Sequence, residues 1–136
     1  MGFVEYLGYE WGCYEETVSG ADGVSIGTGY QNTIDIVNQD CTPHNNNPGP
    51  SAAQVSLEYE KDGYTDWYLP SKDELIEMYN NISEDALNEN IGNFNYSYWS
   101  STEYNPWGAW VIVFSSGTES YPSKHNTLFV RPIRSF

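Results

Sequence analysis

A proline sets the corner around which this chain must fold. In the run Asp66-Trp67-Tyr68-Leu69-Pro70-Ser71-Lys72-Asp73-Glu74-Leu75, Pro70 disfavours the helical region for Leu69, so no helix can begin earlier. Trp67, Tyr68 and Leu69 read as a short extended segment, because aromatic side chains suit a pleated backbone. Ser71, followed three residues later by Glu74, is a capping box in which each side chain takes an N–H left unpaired by the first helical turn. Leu75, Met78, Tyr79 and Ile82 then recur at three- and four-residue steps and place one apolar stripe on one helix face. Strand end, corner and capped helix follow from these residues alone.

The same logic extends along the chain. Residues 1–12 carry Phe3, Tyr6, Leu7, Tyr9 and Trp11 among glycines and fit an extended aromatic segment, and Glu15 to Gly29 reads as surface loop. Thr28 with Gln31 makes a capping box for a helix of about three turns, with Tyr30, Ile34, Val37 and Cys41 as its stripe. Thr42 to Pro50 is a polar loop. Ser51 with Gln54 opens a further helix through Ala53, Leu57 and Tyr59, with Gly63 as its C-terminal stop. Ser83 to Asn90 reads as a short helical turn.

From Phe94 onward the period changes. Tyr96 to Thr102 alternates aromatic with small residues, as a strand with one buried face does. Ala109-Trp110-Val111-Ile112-Val113-Phe114 is an apolar run of strand length, covered on both sides. Ser115 to Gly117 is a turn, and Leu128 to Arg134 is a closing strand whose Pro132 implies an edge or a bulge. Helices come first and a mostly antiparallel sheet follows, so the expected class is α+β, in one domain over residues 1–136.

Charge narrows the partners. The chain carries 19 acidic against 5 basic residues, a net charge of −14, spread over both halves. It presents no basic face of the kind that phosphate backbones require, which argues against nucleic acid, sulfated polysaccharide and anionic membrane. No stretch approaches the roughly 20 apolar residues that span a bilayer, so membrane insertion is not expected. The N-terminus shows no basic region ahead of an apolar run, so no signal peptide is visible; removal, fragmentation and another export route all stay open.

Cys13 and Cys41 are the only cysteines. Without neighbouring histidines they cannot make a four-ligand zinc site, and His44 and His125 lie in polar loops. A disulfide is the preferred reading, with two buried thiols as the alternative; it would close a 28-residue loop and imply an oxidising compartment or a virion. Nucleophilic catalysis needs a base and an orienting acid, and neither histidine has an acid at recognisable spacing. Asp73 and Glu74 are better explained by the helix dipole than by acid–base work. Arg131 and Arg134 read as structural partners of carboxylates, with Glu74 and Glu103 as candidates.

Three motifs together, Asp66–Leu75, Tyr98-Trp99-Ser100-Ser101-Thr102-Glu103-Tyr104 and Val130-Arg131-Pro132-Ile133-Arg134-Ser135-Phe136, resemble the bacterial DUF1566 family, also called the Lcl C-terminal domain. The resemblance covers residues 60–136 and extends more loosely to residue 10. It implies a C-type-lectin-like fold related to the formylglycine-generating-enzyme scaffold, found as terminal domains of surface or secreted proteins. That enzyme scaffold uses a cysteine pair near its C-terminal part, whereas Cys13 and Cys41 lie in the other half. Two departures stand out. The glycine-led first strand usual in the family is absent or displaced before Met1, which would leave an exposed edge. The glycosaminoglycan ligand of the namesake adhesin conflicts with the charge and is not carried over.

In such folds the inter-strand loops carry recognition. Glu103, Tyr104, Asn105 and Trp107 form one candidate ligand-binding loop, and Tyr121, Lys124, His125 and Asn126 a second beside it. Flat aromatic faces and planar hydrogen-bonding groups suit a sugar. Calcium is a minor possibility, since the glutamate-proline-asparagine triplet of lectins is missing, and no other cofactor is implied. Trp67, Pro70, Ser71, Glu74, Trp99, Trp110, Arg131 and Arg134 are assigned to the framework. The expectation is therefore a non-enzymatic, extracellular, cell-surface or virion-borne module that binds a glycan or protein receptor. The alternative is a structural subunit of an appendage, filament or tail fibre, with homo-oligomeric or other assembly contacts.

Overall fold

The proline corner has the form expected of it. Tyr68 exchanges both backbone hydrogen bonds with Ile133, at 2.8 and 2.9 Å, which fixes the segment before Pro70 against the C-terminal end. Both halves of the Ser71–Glu74 capping box are formed, and the helix behind it, α3, runs over Lys72–Ile82. The computed structural model describes residues 8–41, 50–83 and 96–135. All but Ser83 of the expected helical turn at Ser83–Asn90, most of the Thr42–Pro50 loop with His44, and Phe3, Tyr6, Leu7, Phe94 and Phe136 lie outside them.

Two helices precede α3: α1 at Gly29–Gln39 and α2 at Ala52–Glu58. Strands β1 (Ser97–Glu103), β2 (Ala109–Val113) and β3 (Thr118–Ser120) follow and make one antiparallel sheet in the order β1-β2-β3. Helices then sheet is an α+β fold. The register separates two cores. Trp99 opposite Val111 points to a core shared with Trp11, Ile36, Ala53 and Leu69, on the α1/α2 side. Tyr98 opposite Ile112 points to the other, with Leu75 of α3 and Phe114.

That arrangement corrects the expectation of a β1 with one buried face, because Tyr98 to Thr102 are all buried. The sheet is sandwiched, so small polar residues of β1 also lie inside. They are satisfied there: Ser101 N donates to Pro70 O at 2.7 Å, and Thr102 Oγ1 donates to Gly23 O at 2.8 Å. Trp99 N donates to Phe129 O and Glu103 N to Ala21 O, so the outer edge of β1 is lined by the chain's own loops. Near the start of the described residues, Tyr9 and Leu128 exchange both backbone hydrogen bonds at 2.8 and 3.1 Å. Leu128 to Arg134, expected as a closing strand, is instead a series of single bridges to Tyr9, Tyr98 and Tyr68.

Three further readings need correction. Thr28 makes no side-chain cap; its hydroxyl donates to Ser25 O at 2.6 Å instead. The buried face of α1 is Gly29, Asn32, Thr33 and Ile36, while Tyr30 is exposed. Asn32 is inside because its amide pairs with both backbone groups of Gly23, and Thr33 because its hydroxyl serves Leu69 N and O. Ser51 caps Gln54 N as expected, but α2 ends at Glu58 with an extended Tyr59, and Gly63, at φ 82°, serves a later turn between Lys61 and Tyr64. Cys13 and Cys41 are joined by a disulfide.

Glycine is required at position 29. A Cβ there would run into the Glu74 carboxylate and lie 2.8 Å from Ser71 N. The close approach lets Glu74 accept from Ser71 N at 2.7 Å and from Gly27 N at 3.1 Å, so one carboxylate ties the start of α3 to the loop before α1.

Candidate functional site

The β1–β2 connection is a tight loop built by Asn105. Its Oδ1 accepts from Trp107 N at 2.9 Å and Gly108 N at 2.7 Å, while Tyr104 N and Asn105 N both donate to Gly108 O. An asparagine that mimics a backbone turn in this way is committed to the loop's shape. Trp107 is left at the tip, 54% exposed. A β-carbon at Gly108 would lie 2.9 Å from Tyr121 O, so the absence of a side chain there lets the second loop lie alongside. Lys124 N donates to Trp107 O at 2.7 Å and Ala109 N to Pro122 O at 3.3 Å, which joins the loops into one surface.

On that surface the aromatic rings pack on one another. Tyr104 and Tyr121, 44% and 52% exposed, stack with centroids 4.0 Å apart and planes 16° from parallel. Both meet Trp110 edge-on, at 5.2 and 5.3 Å. Lys72 Nζ lies 3.8 Å from the centre of the Trp110 ring and 2.6 Å from Glu119 Oε1. A cation over an indole face is favourable, and the ion pair helps to hold it there. The result is an exposed aromatic platform seated on Trp110 and bordered by one Lys–Glu pair. Sequence reasoning placed Trp110 in the framework and missed Lys72 and Glu119. The signal that could have found them is strand alternation: Glu119 opposes Ile112, two residues from Trp110 and so on the same face, and Tyr121 falls beside Trp110.

Glu103 and Lys124 do not join this surface. Lys124 is fully buried, and its ammonium donates to Glu103 Oε2 at 2.8 Å, Glu16 O at 3.0 Å and Cys13 O at 3.3 Å. Glu103 also accepts from Val18 N at 2.8 Å. Burial pushes the Lys124 ammonium pKa below its ordinary value, and the Glu103 carboxylate opposes that shift. These two expected ligand contacts are instead the internal support of the two loops. Trp11 reinforces it, with Lys124 Nζ 4.7 Å from its ring centre.

The other expected residues fall between. His125 is half-buried, its Nδ1 2.7 Å from Ser123 Oγ and its ring edge-on to Tyr14 at 4.6 Å. Asn126 is exposed at the same loop's turn, where its N–H donates to Ser123 O. Arg134 pairs with Asp66, through Nε to Oδ1 at 2.7 Å and Nη2 to Oδ2 at 3.0 Å, and covers the Tyr64 ring. Arg131 is buried with its guanidinium carbon 5.5 Å from the Tyr98 ring centre. The guessed partners Glu74 and Glu103 are thus taken by backbone amides and by Lys124. Among the described residues no group of three His, Cys, Asp or Glu is placed to hold a metal ion. No helix among them is long and apolar enough to cross a membrane.

A sequence model of the family described as the Lcl C-terminal domain matches residues 21–134. No curated protein matches the chain.

Proposed function

The chain belongs to the Lcl C-terminal domain family, and on that premise we propose that it is a non-enzymatic recognition module that binds a neutral glycan on its aromatic platform. One observation carries the reading: Tyr104 and Tyr121, each about half exposed, stack on one another and stand on Trp110, which Lys72 and Glu119 brace, while Trp107 is exposed at the tip of the same loop. Large aromatic faces held in place lose little entropy on binding and match the C–H faces of pyranose rings. The charge of −14 favours neutral over acidic sugars. An extracellular, cell-surface or virion setting accords with the disulfide. The C-type-lectin-like relation belongs to the same proposal. A glycan array tests it: retention of neutral oligosaccharides by the native chain, lost in Trp107→Ala and Tyr121→Ala, is the expected result. An array without hits, or hits indifferent to both substitutions, counts against it.

The second reading is an assembly subunit that makes protein contacts. Ile26, at 64% the most exposed large apolar residue among the described residues, favours it, as do the half-exposed Tyr30 and Tyr64. Light scattering separates the two, because a chain that stays monomeric at high concentration is a poor building block.

A further inference from the structure

We propose that the Cys13–Cys41 disulfide is a redox-sensitive brace for the aromatic platform, so that its reduction loosens the two platform loops while helices and central strands stay folded. The consequence for ligand binding rests on the recognition reading above; the brace itself does not.

Residues 13–18 run beneath both loops and touch each of them. Toward the first, Glu15 N donates to Pro106 O at 2.8 Å and Val18 N to Glu103 Oε2 at 2.8 Å. Toward the second, Cys13 O and Glu16 O accept from Lys124 Nζ, and Tyr14 meets the His125 ring. The segment's own conformation is not one that it would keep unaided. Cys13 and Glu15 have φ of 57° and 70°, the left-handed region that side chains other than glycine and asparagine rarely occupy. Such a backbone persists where its surroundings over-determine it. The covalent part of those surroundings is the bond to Cys41, just beyond the C-cap of α1, a helix packed into the larger core.

A reductant has a way in. Cys41 is half-buried, and a crevice of about 80 Å³ lined by both cysteines, Gly12, Asp40, Ser51 and Gln54 adjoins the bond. The chemistry is thiol–disulfide exchange with a dithiol. One reductant thiolate attacks a sulfur of the pair, the S–S bond breaks, and a mixed disulfide forms while the other cysteine leaves as thiolate. The second reductant thiol resolves the mixed disulfide. Two electrons and two protons end on Cys13 and Cys41 as thiols, and the reductant departs as a cyclic disulfide.

Amide hydrogen exchange on the oxidised chain and on the chain reduced with dithiothreitol, with thiol labelling to confirm reduction, tests the brace. Expected on reduction is exchange faster by about ten-fold or more at Tyr104, Ala109 and Lys124, whose N–H groups close the platform loops. Tyr68 and Leu75 should hold their protection, and the helical circular dichroism should persist. Unchanged exchange at the three platform amides overturns the proposal, and so does cooperative loss of the whole fold. The Cys13→Ala/Cys41→Ala variant, measured without reductant, must repeat the reduced pattern; protection equal to the oxidised chain overturns it equally. Because no ligand enters, a chain that loosens in this way yet binds no glycan keeps the brace and loses only the recognition reading.

Discussion

Lys124 takes the only buried ammonium position seen among the described residues and spends its hydrogen bonds on Glu103 and two carbonyls. A desolvated pair is tolerable while both members are present and costly once one is gone. Lys124→Met should therefore lower unfolding free energy in urea by about 3–5 kcal/mol, since it strands the Glu103 carboxylate. Lys124→Met/Glu103→Gln should recover much of that loss, because a neutral amide can still accept from Val18 N; no recovery would mean that the pair matters for its fit and not its charge. Asp66 behaves differently because its pair is exposed. Its hydrogen bonds to Arg134 hold its carboxyl below the ordinary value of 3.8. A lowered folded value means that the stabilisation is present above 3.8 and is lost as pH falls through the folded value. An NMR titration of the Asp66 carboxyl should show this depression, and Arg134→Gln should return it toward 3.8. Equal titration in both chains would remove the pair from solution.

At the scale of elements, α3 was legible because its signals are local: proline before it, serine at the cap, glutamate three residues on. Ser71→Ala should cost about 1–2 kcal/mol through the lost cap. Glu74→Ala should cost about 1–3 kcal/mol, since Ser71 N and Gly27 N both lose their acceptor, and thermal melts of the two variants check the order. For α1 the existence of a helix was legible and its inward face was not. Counting apolar steps selects Tyr30, Ile34 and Val37, but the buried face carries Asn32 and Thr33, which complete hydrogen bonds for Gly23 and Leu69, residues outside the helix. Periodicity in one segment holds no record of the backbone groups that another leaves unpaired. The same holds for β1, whose serines and threonine lie inside because Pro70 and Gly23 meet them there.

Across the whole molecule, α1 and α2 cover one face of the sheet and α3 the other, and the platform lies at the end where β1 passes to β2 and β3 to the loop at 121–127. The two loops were legible as a place rich in exposed aromatics. Their division of labour was not, because Glu103 and Lys124 stand 21 residues apart and read as surface polar groups until the fold buries them together. Rigid display of Trp107, Tyr104 and Tyr121 is the claim on which the functional account depends. The most direct test is amide chemical-shift mapping as a neutral oligosaccharide retained on the array is titrated into the chain. The account predicts saturable shifts confined to residues 104–110 and 119–126, abolished in Tyr121→Ala. Shifts centred instead on Ile26, Met78 and Ile82, or none at all, would contradict it.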